Sequence, residues 1–130
     1  MKGTVDGKQG SAPIKSFRDL IVWQKAYELC LQTYKETRSF PKSEEFGLVS
    51  QLRRCAVSVP SNISEGYNRK SKKEYIHFLF IAHGSLGEYQ TQIMIAKDIG
   101  YIDTEKYEYL YNLSEEVGKM LWKMTESLSK

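Results

Sequence analysis

Glu74 and His77 form the chain's single Glu-x-x-His, the spacing by which di-metal helical bundles set two ligands on one helix face. Such a centre needs a second copy and two further carboxylates facing it. The other histidine, His83, follows Phe80 at that spacing, so no metal is expected. Cys30 and Cys55 lie in apolar periodic stretches, not at ligand spacing. They read as small core residues in a reducing compartment. Neither has a histidine placed to activate it. The gap from Arg69 to His77 is also too long for the paired Arg and His of small helical nucleases. No catalytic residue and no cofactor is expected.

What remains is electrostatic. Arg53, Arg54, Arg69, Lys70, Lys72 and Lys73 fall between Gln51 and Tyr75, against only Glu65 and Glu74. Residues 50–77 carry six basic and two acidic side chains, residues 103–130 four basic and six acidic, in a chain of net charge +3. The charge therefore gathers at one end of the molecule. Arg69, Lys70, Lys72 and Lys73 are the first candidates for phosphate contact. Arg53 and Arg54 come second, because a charge deep in a helical protein needs a partner and Glu88 falls within a helical turn of them.

Gln51, Arg54, Ser58, Ser61 and Glu65 repeat at helical spacing as a polar stripe. It is either a solvated face or, given its short side chains, a groove or subunit contact. Pro60 removes a helical hydrogen bond and collides with the Ala56 carbonyl, so the second helix must kink or break there. Ser58, Ser61 and Asn62 are suited to the freed backbone groups. Gly84 and Gly87 flank Ser85 and Leu86 inside a helix, each costing about 1 kcal/mol against alanine. Close approach of another backbone, inside the molecule or from a second copy, would offset that cost.

These residues sit on four helical segments with no sustained strand alternation. The first starts near Ser16, with Asp19 at capping-box spacing, and places Leu20, Trp23, Tyr27, Cys30 and Tyr34 on its apolar seam. The second opens at Ser43, buries Leu48, Leu52, Cys55, Val59 and Ile63, and stops near Gly66. The third begins at Ser71, buries Phe78, Leu79, Ala82, Leu86, Tyr89, Ile93 and Ala96, and stops at Gly100. The fourth starts at Asp103 or Thr104 and buries Tyr107, Leu110, Leu113, Val117, Leu121, Met124 and Leu128. Short connections make successive helices antiparallel. The expected fold is all-α: a single up-down-up-down antiparallel four-helix bundle over residues 16–130, kinked at Pro60, preceded by a flexible arm over 1–15.

With 130 residues the chain is one domain. It has no apolar run of membrane-spanning length and no apolar signal-peptide core at its start, and is expected to be cytoplasmic.

The strings FRDLIVWQKAYEL, QLRRCAVSVPSNISEG and GSLGE, with the FP-x-x-E-x-x-GL and R-x-S-x-x-E spacings around them, closely resemble the bacterial four helix bundle proteins encoded in intervening sequences of 23S rRNA genes. The resemblance runs from about Phe17 to Ile102. It carries the motif residues Gln51, Arg53, Arg54, Pro60, Asn62, Glu65, Gly66, Arg69, Gly84, Ser85 and Glu88, and no catalytic residue. That family is similar in fold to the accessory variability protein of diversity-generating retroelements, a pentameric ring that binds nucleic acid and a reverse transcriptase. The resemblance thus implies a homo-oligomer, a pentamer, and makes RNA or DNA a plausible ligand.

The expected function is a non-enzymatic ring of helical bundles holding structured RNA or DNA, with several weak patches adding by avidity. The alternative is a scaffold whose basic turn docks an acidic, nucleic-acid-processing protein.

Overall fold

The computed structural model describes residues 13–130. Of the expected arm, residues 1–12 lie outside the described region, and the last part belongs to the fold. Ile14 packs against the core, and the Lys15 N–H donates to the Asp19 carboxylate at 2.8 Å. The capping box of Ser16 and Asp19 is present, but it closes a 3-10 turn (Phe17–Asp19). The first helix, α1 (Ile21–Thr37), starts only after it.

A second 3-10 turn, Lys42–Glu44, takes the place expected for the start of the next helix, and α2 runs Leu48–Tyr67. Glu44 still serves that helix from outside, because its Oε1 accepts the Leu48 N–H at 3.1 Å, where a carboxylate suits the positive helix end. Its other oxygen accepts the Tyr101 hydroxyl at 3.0 Å, joining the two connections at this end of the molecule.

The third helix, α3, spans Lys72–Asp98, with the Ser71 hydroxyl accepting the Glu74 N–H at 3.1 Å. It ends on Gly100 at φ +88°, a left-handed position natural to glycine. The Gly100 N–H reaches the Lys97 carbonyl and the Tyr101 N–H the Ala96 carbonyl, a Schellman closure. Asp103 then caps α4 (Thr104–Ser129) through the Lys106 N–H.

Each helix packs on the next in sequence, and α1 closes on α4. Paired contacts give the directions. Gln51 meets Gln92 and Ser58 meets Ser85 between α2 and α3. Lys97 meets Tyr107 and His83 meets Trp122 between α3 and α4. Lys25 pairs with Glu116 and Glu36 with Lys106 between α1 and α4. In every pair one number rises as the other falls, so these neighbours are antiparallel. The described residues form an all-α four-helix bundle.

The seams expected for α3 and α4 are the ones buried, save that Phe78, Tyr107, Leu113 and Leu128 are half-buried. That of α1 is displaced. Its core residues are Val22, Ala26, Leu29, Thr33 and Thr37, whereas Tyr27 and Tyr34 are exposed and Trp23 and Cys30 half-buried. Two threonines inside a core stripe misdirect a reading by hydrophobicity. They are tolerated because Thr33 donates to the Leu29 carbonyl and Thr37 to the Thr33 carbonyl, both at 2.8 Å. The aromatics form a rim instead, Phe17 edge-on to Trp23 and Trp23 stacked on Tyr27 at 4.9 Å.

Helix α2 runs without a break through Pro60, which is itself buried. Gly66 does not stop the helix but lies in its last turn, where α3 crosses closely. A Cβ there would stand 2.9 Å from the Phe78 Cβ and 3.2 Å from the Tyr75 carbonyl oxygen.

Candidate functional site

The turn between α2 and α3 holds the basic run, and its four members are not equivalent. Arg69 bonds Glu65 at 2.6 Å and Glu74 at 3.5 Å, with its guanidinium 4.9 Å over the Phe78 ring. Its charge is spent locally, and Glu74, the carboxylate of the Glu-x-x-His, is engaged with it. Lys70, Lys72 and Lys73 are exposed, and among the described residues no carboxylate pairs with them. Lys72 and Lys73 open α3, where the positive helix end adds to their field.

Arg53 and Arg54 point apart. The Arg53 Nε donates to the Thr37 hydroxyl at 2.9 Å, and its guanidinium lies 4.6 Å from the Tyr34 ring centre. It fastens α2 to α1. Arg54 is exposed and lines a polar groove of about 490 Å³ with Gln51, Cys55, Glu88 and Gln92. Glu88 forms no ion pair with Arg54; it accepts the Cys55 thiol at 3.5 Å. Burial, reinforced by that carboxylate, pushes the thiol up to about 11. Both cysteines are free thiols.

The polar stripe of α2 divides in the same way. Ser58 meets the Ser85 hydroxyl at 2.7 Å, and the Asn62 amide donates to the Ser58 carbonyl and hydroxyl at 2.8 and 3.0 Å. Those residues form the packed seam between α2 and α3. Gln51, Arg54, Ser61 and Glu65 face outward.

Gly84 and Gly87 have nothing within 4 Å of where a Cβ would stand. Among the described residues no backbone approaches them, so no contact within the bundle offsets their cost. They lie on an outward face of α3 that also exposes Phe80, Ile81, Met94, Ile95 and Ile99. Phe46, 91% exposed beside the polar groove, adds to this apolar surface.

Two features escaped the sequence. Because α4 runs antiparallel to α3, with His83 level with Trp122 and Gln90 with Glu115, Lys119 and Lys123 come beside the middle of α3. Charge counted over residues 103–130 hides these lysines, because five of the six acids lie at or before Glu116. The second is a groove of about 550 Å³ between α3 and α4, floored by Leu86 and Trp122. Trp122 lies off the apolar seam of α4 and is 54% exposed.

Among the described residues no three His, Cys, Asp or Glu side chains cluster as metal ligands, and no helix is long and apolar enough to cross a membrane.

The family model described as 23S rRNA-intervening sequence protein matches residues 18–123. The chain belongs to that family. The match extends well beyond Ile102, through most of α4, so the fourth helix is part of the 23S rRNA-intervening sequence protein unit. Among solved structures, the chain is similar to a protein of unknown function from the S23 ribosomal protein family from Bacteroides thetaiotaomicron VPI-5482. The two share 25% identity at a TM-score of 0.76, over 82% of this chain and 96% of that one. No curated protein matches the chain.

Proposed function

We propose that this 23S rRNA-intervening sequence protein is a non-enzymatic, cytoplasmic homo-oligomer that holds structured RNA or DNA by its phosphates. One observation carries the reading: Lys70, Lys72 and Lys73 stand exposed at a helix start, without carboxylate partners among the described residues, while the neighbouring Arg69 is neutralised by two glutamates. Three free cations on one protomer bind a polyanion weakly, and repetition around an assembly raises the effective affinity. The outward face of α3 supports assembly, because its two glycines give up helix stability for no contact among the described residues. A pentameric ring is the form we propose, on the likeness to the accessory variability protein.

The test is fluorescence anisotropy with a labelled RNA stem-loop and its DNA counterpart across salt, beside light-scattering mass. Binding should weaken steeply as salt rises, with a slope set by the phosphates neutralised. Replacing Lys70, Lys72 and Lys73 by glutamate should abolish it. A monomer that ignores both polynucleotides refutes the proposal. Salt-sensitive capture of an acidic protein, with no polynucleotide bound, assigns the turn to the scaffold reading instead.

A further inference from the structure

The groove between α3 and α4 lies at the middle of the two helices, with two lysines and two glutamates among its lining. Leu86 and the Trp122 ring form its apolar floor, and Gly87 and Gly118 face it from the two helices. Both glycines keep it open. A side chain at 87 would project into unoccupied space, and a Cβ at 118 would meet the Leu86 Cδ2 at 3.3 Å. His83 lies beside Trp122, ring centres 6.0 Å apart and tilted by 56°, so neither face-on stacking nor burial consumes the indole surface.

The charges around this floor are mixed, and their engagement differs. Lys119 and Lys123, one helical turn apart on α4, are exposed and unpaired among the described residues. Of the two acids at the lip, Glu115 accepts the Gln90 amide at 3.0 Å, and Glu126 remains exposed. His83 lies eleven residues along α3 from Lys72, which is roughly 16 Å of helix rise. A strand whose phosphates run from the Lys72–Lys73 turn toward Lys119 and Lys123 would pass the indole.

We infer that this groove takes an unpaired nucleobase, stacked on Trp122 beside His83, with Lys119 and Lys123 holding the flanking phosphates. An apolar ring platform between cations is the arrangement by which proteins hold single-stranded segments without reading their sequence. A base inside a duplex presents no face to it. The ligand class is therefore narrowed from structured polynucleotide to one with a loop, bulge or frayed end. This inference rests on the function proposed above, and the test separates the two.

Anisotropy titrations would compare a labelled RNA hairpin with its blunt, fully paired stem, using the wild type, Trp122→Ala, Trp122→Phe and the triple lysine reversal. Trp122→Ala should weaken hairpin binding roughly tenfold and stem binding less than twofold, as expected for loss of one stacked base. Trp122→Phe should restore most of the difference. In a Trp23→Phe background the remaining indole emission should fall when the hairpin, but not the stem, is added. If the lysine reversal abolishes binding while Trp122→Ala changes neither ligand, or both equally, the base site is wrong and the phosphate reading stands. If the wild type binds neither ligand, both fall. Loss of assembly in Trp122→Ala with hairpin affinity unchanged gives the groove to a second copy and overturns the inference.

Discussion

The hydroxyls of Tyr89 and Thr33 meet at 2.6 Å in the buried centre of the bundle, α3 reaching across to α1. Thr33 also donates to the Leu29 carbonyl, so the Tyr89 hydroxyl supplies the proton of the shared bond. The two partners are consequently unequal. Tyr89→Phe leaves Thr33 satisfied and should cost about 1 kcal/mol, whereas Thr33→Val strands a buried phenol and should cost about 2 kcal/mol. Urea unfolding midpoints would order the two variants.

The same phenol gives the fold an alkaline limit. Burial is the main cause that raises the Tyr89 ionisation well above its ordinary value. A group raised in the folded state stabilises it below the unfolded pKa and loses that contribution above it. Stability should therefore decline as pH passes about 10, where the unfolded chain sheds the proton that the native state keeps. The decline should be shallower in Tyr89→Phe, followed by thermal melts between neutral and alkaline pH.

The glycines should separate folding from assembly. Gly66→Ala forces a Cβ against Phe78 and the Tyr75 backbone and should destabilise by about 1–3 kcal/mol. Gly84→Ala and Gly87→Ala meet nothing among the described residues, so each should raise helix stability by about 1 kcal/mol. Where α3 packs on another copy, those same methyl groups should weaken self-association. Melting temperature and light-scattering mass should then move in opposite directions.

Arg53 and Arg54 should separate stability from affinity. Arg53→Ala removes the tie to Thr37 and the Tyr34 ring, costing about 1–2 kcal/mol, with polynucleotide affinity unchanged in the folded fraction. Arg54→Ala should leave the urea midpoint nearly unchanged and reduce binding modestly. Paired unfolding and anisotropy curves would show it.

Cys55 should react slowly. With its thiol pushed up to about 11 by burial and by Glu88, little thiolate exists at neutral pH. Glu88→Gln removes one cause of that shift and should speed alkylation, measured as loss of free thiol at pH 8 in a Cys30→Ser background. Because the folded pKa is the higher one, the thiol's share of stability is complete below about pH 9 and is lost toward 11.

How far the sequence led can be judged from particular helices. The caps at Ser71, Asp103 and Gly100 and the core of α3 follow from local rules that nothing in the tertiary structure opposes. The face of α1 did not follow, because Thr33 and Thr37 satisfy their hydroxyls on their own helix and so pass as core. The start of α2 was misplaced because Glu44 acts across a turn on Leu48 rather than from within the helix. Of the candidate site, the lysine run was legible as composition. The opposite orientations of Arg53 and Arg54, and the placing of Lys119 and Lys123 beside the middle of α3, depend on packing directions that no window of sequence contains.

Helices α2 and α3, joined by the Ser58–Ser85 bond and the close crossing at Gly66, are consecutive in the chain and separated only by residues 68–71. Little loop-closure entropy stands between them, and chains dominated by such near-neighbour contacts fold fast. A growing polypeptide can thus pair α2 with α3, with the lysine turn at the tip, before α4 has been synthesised.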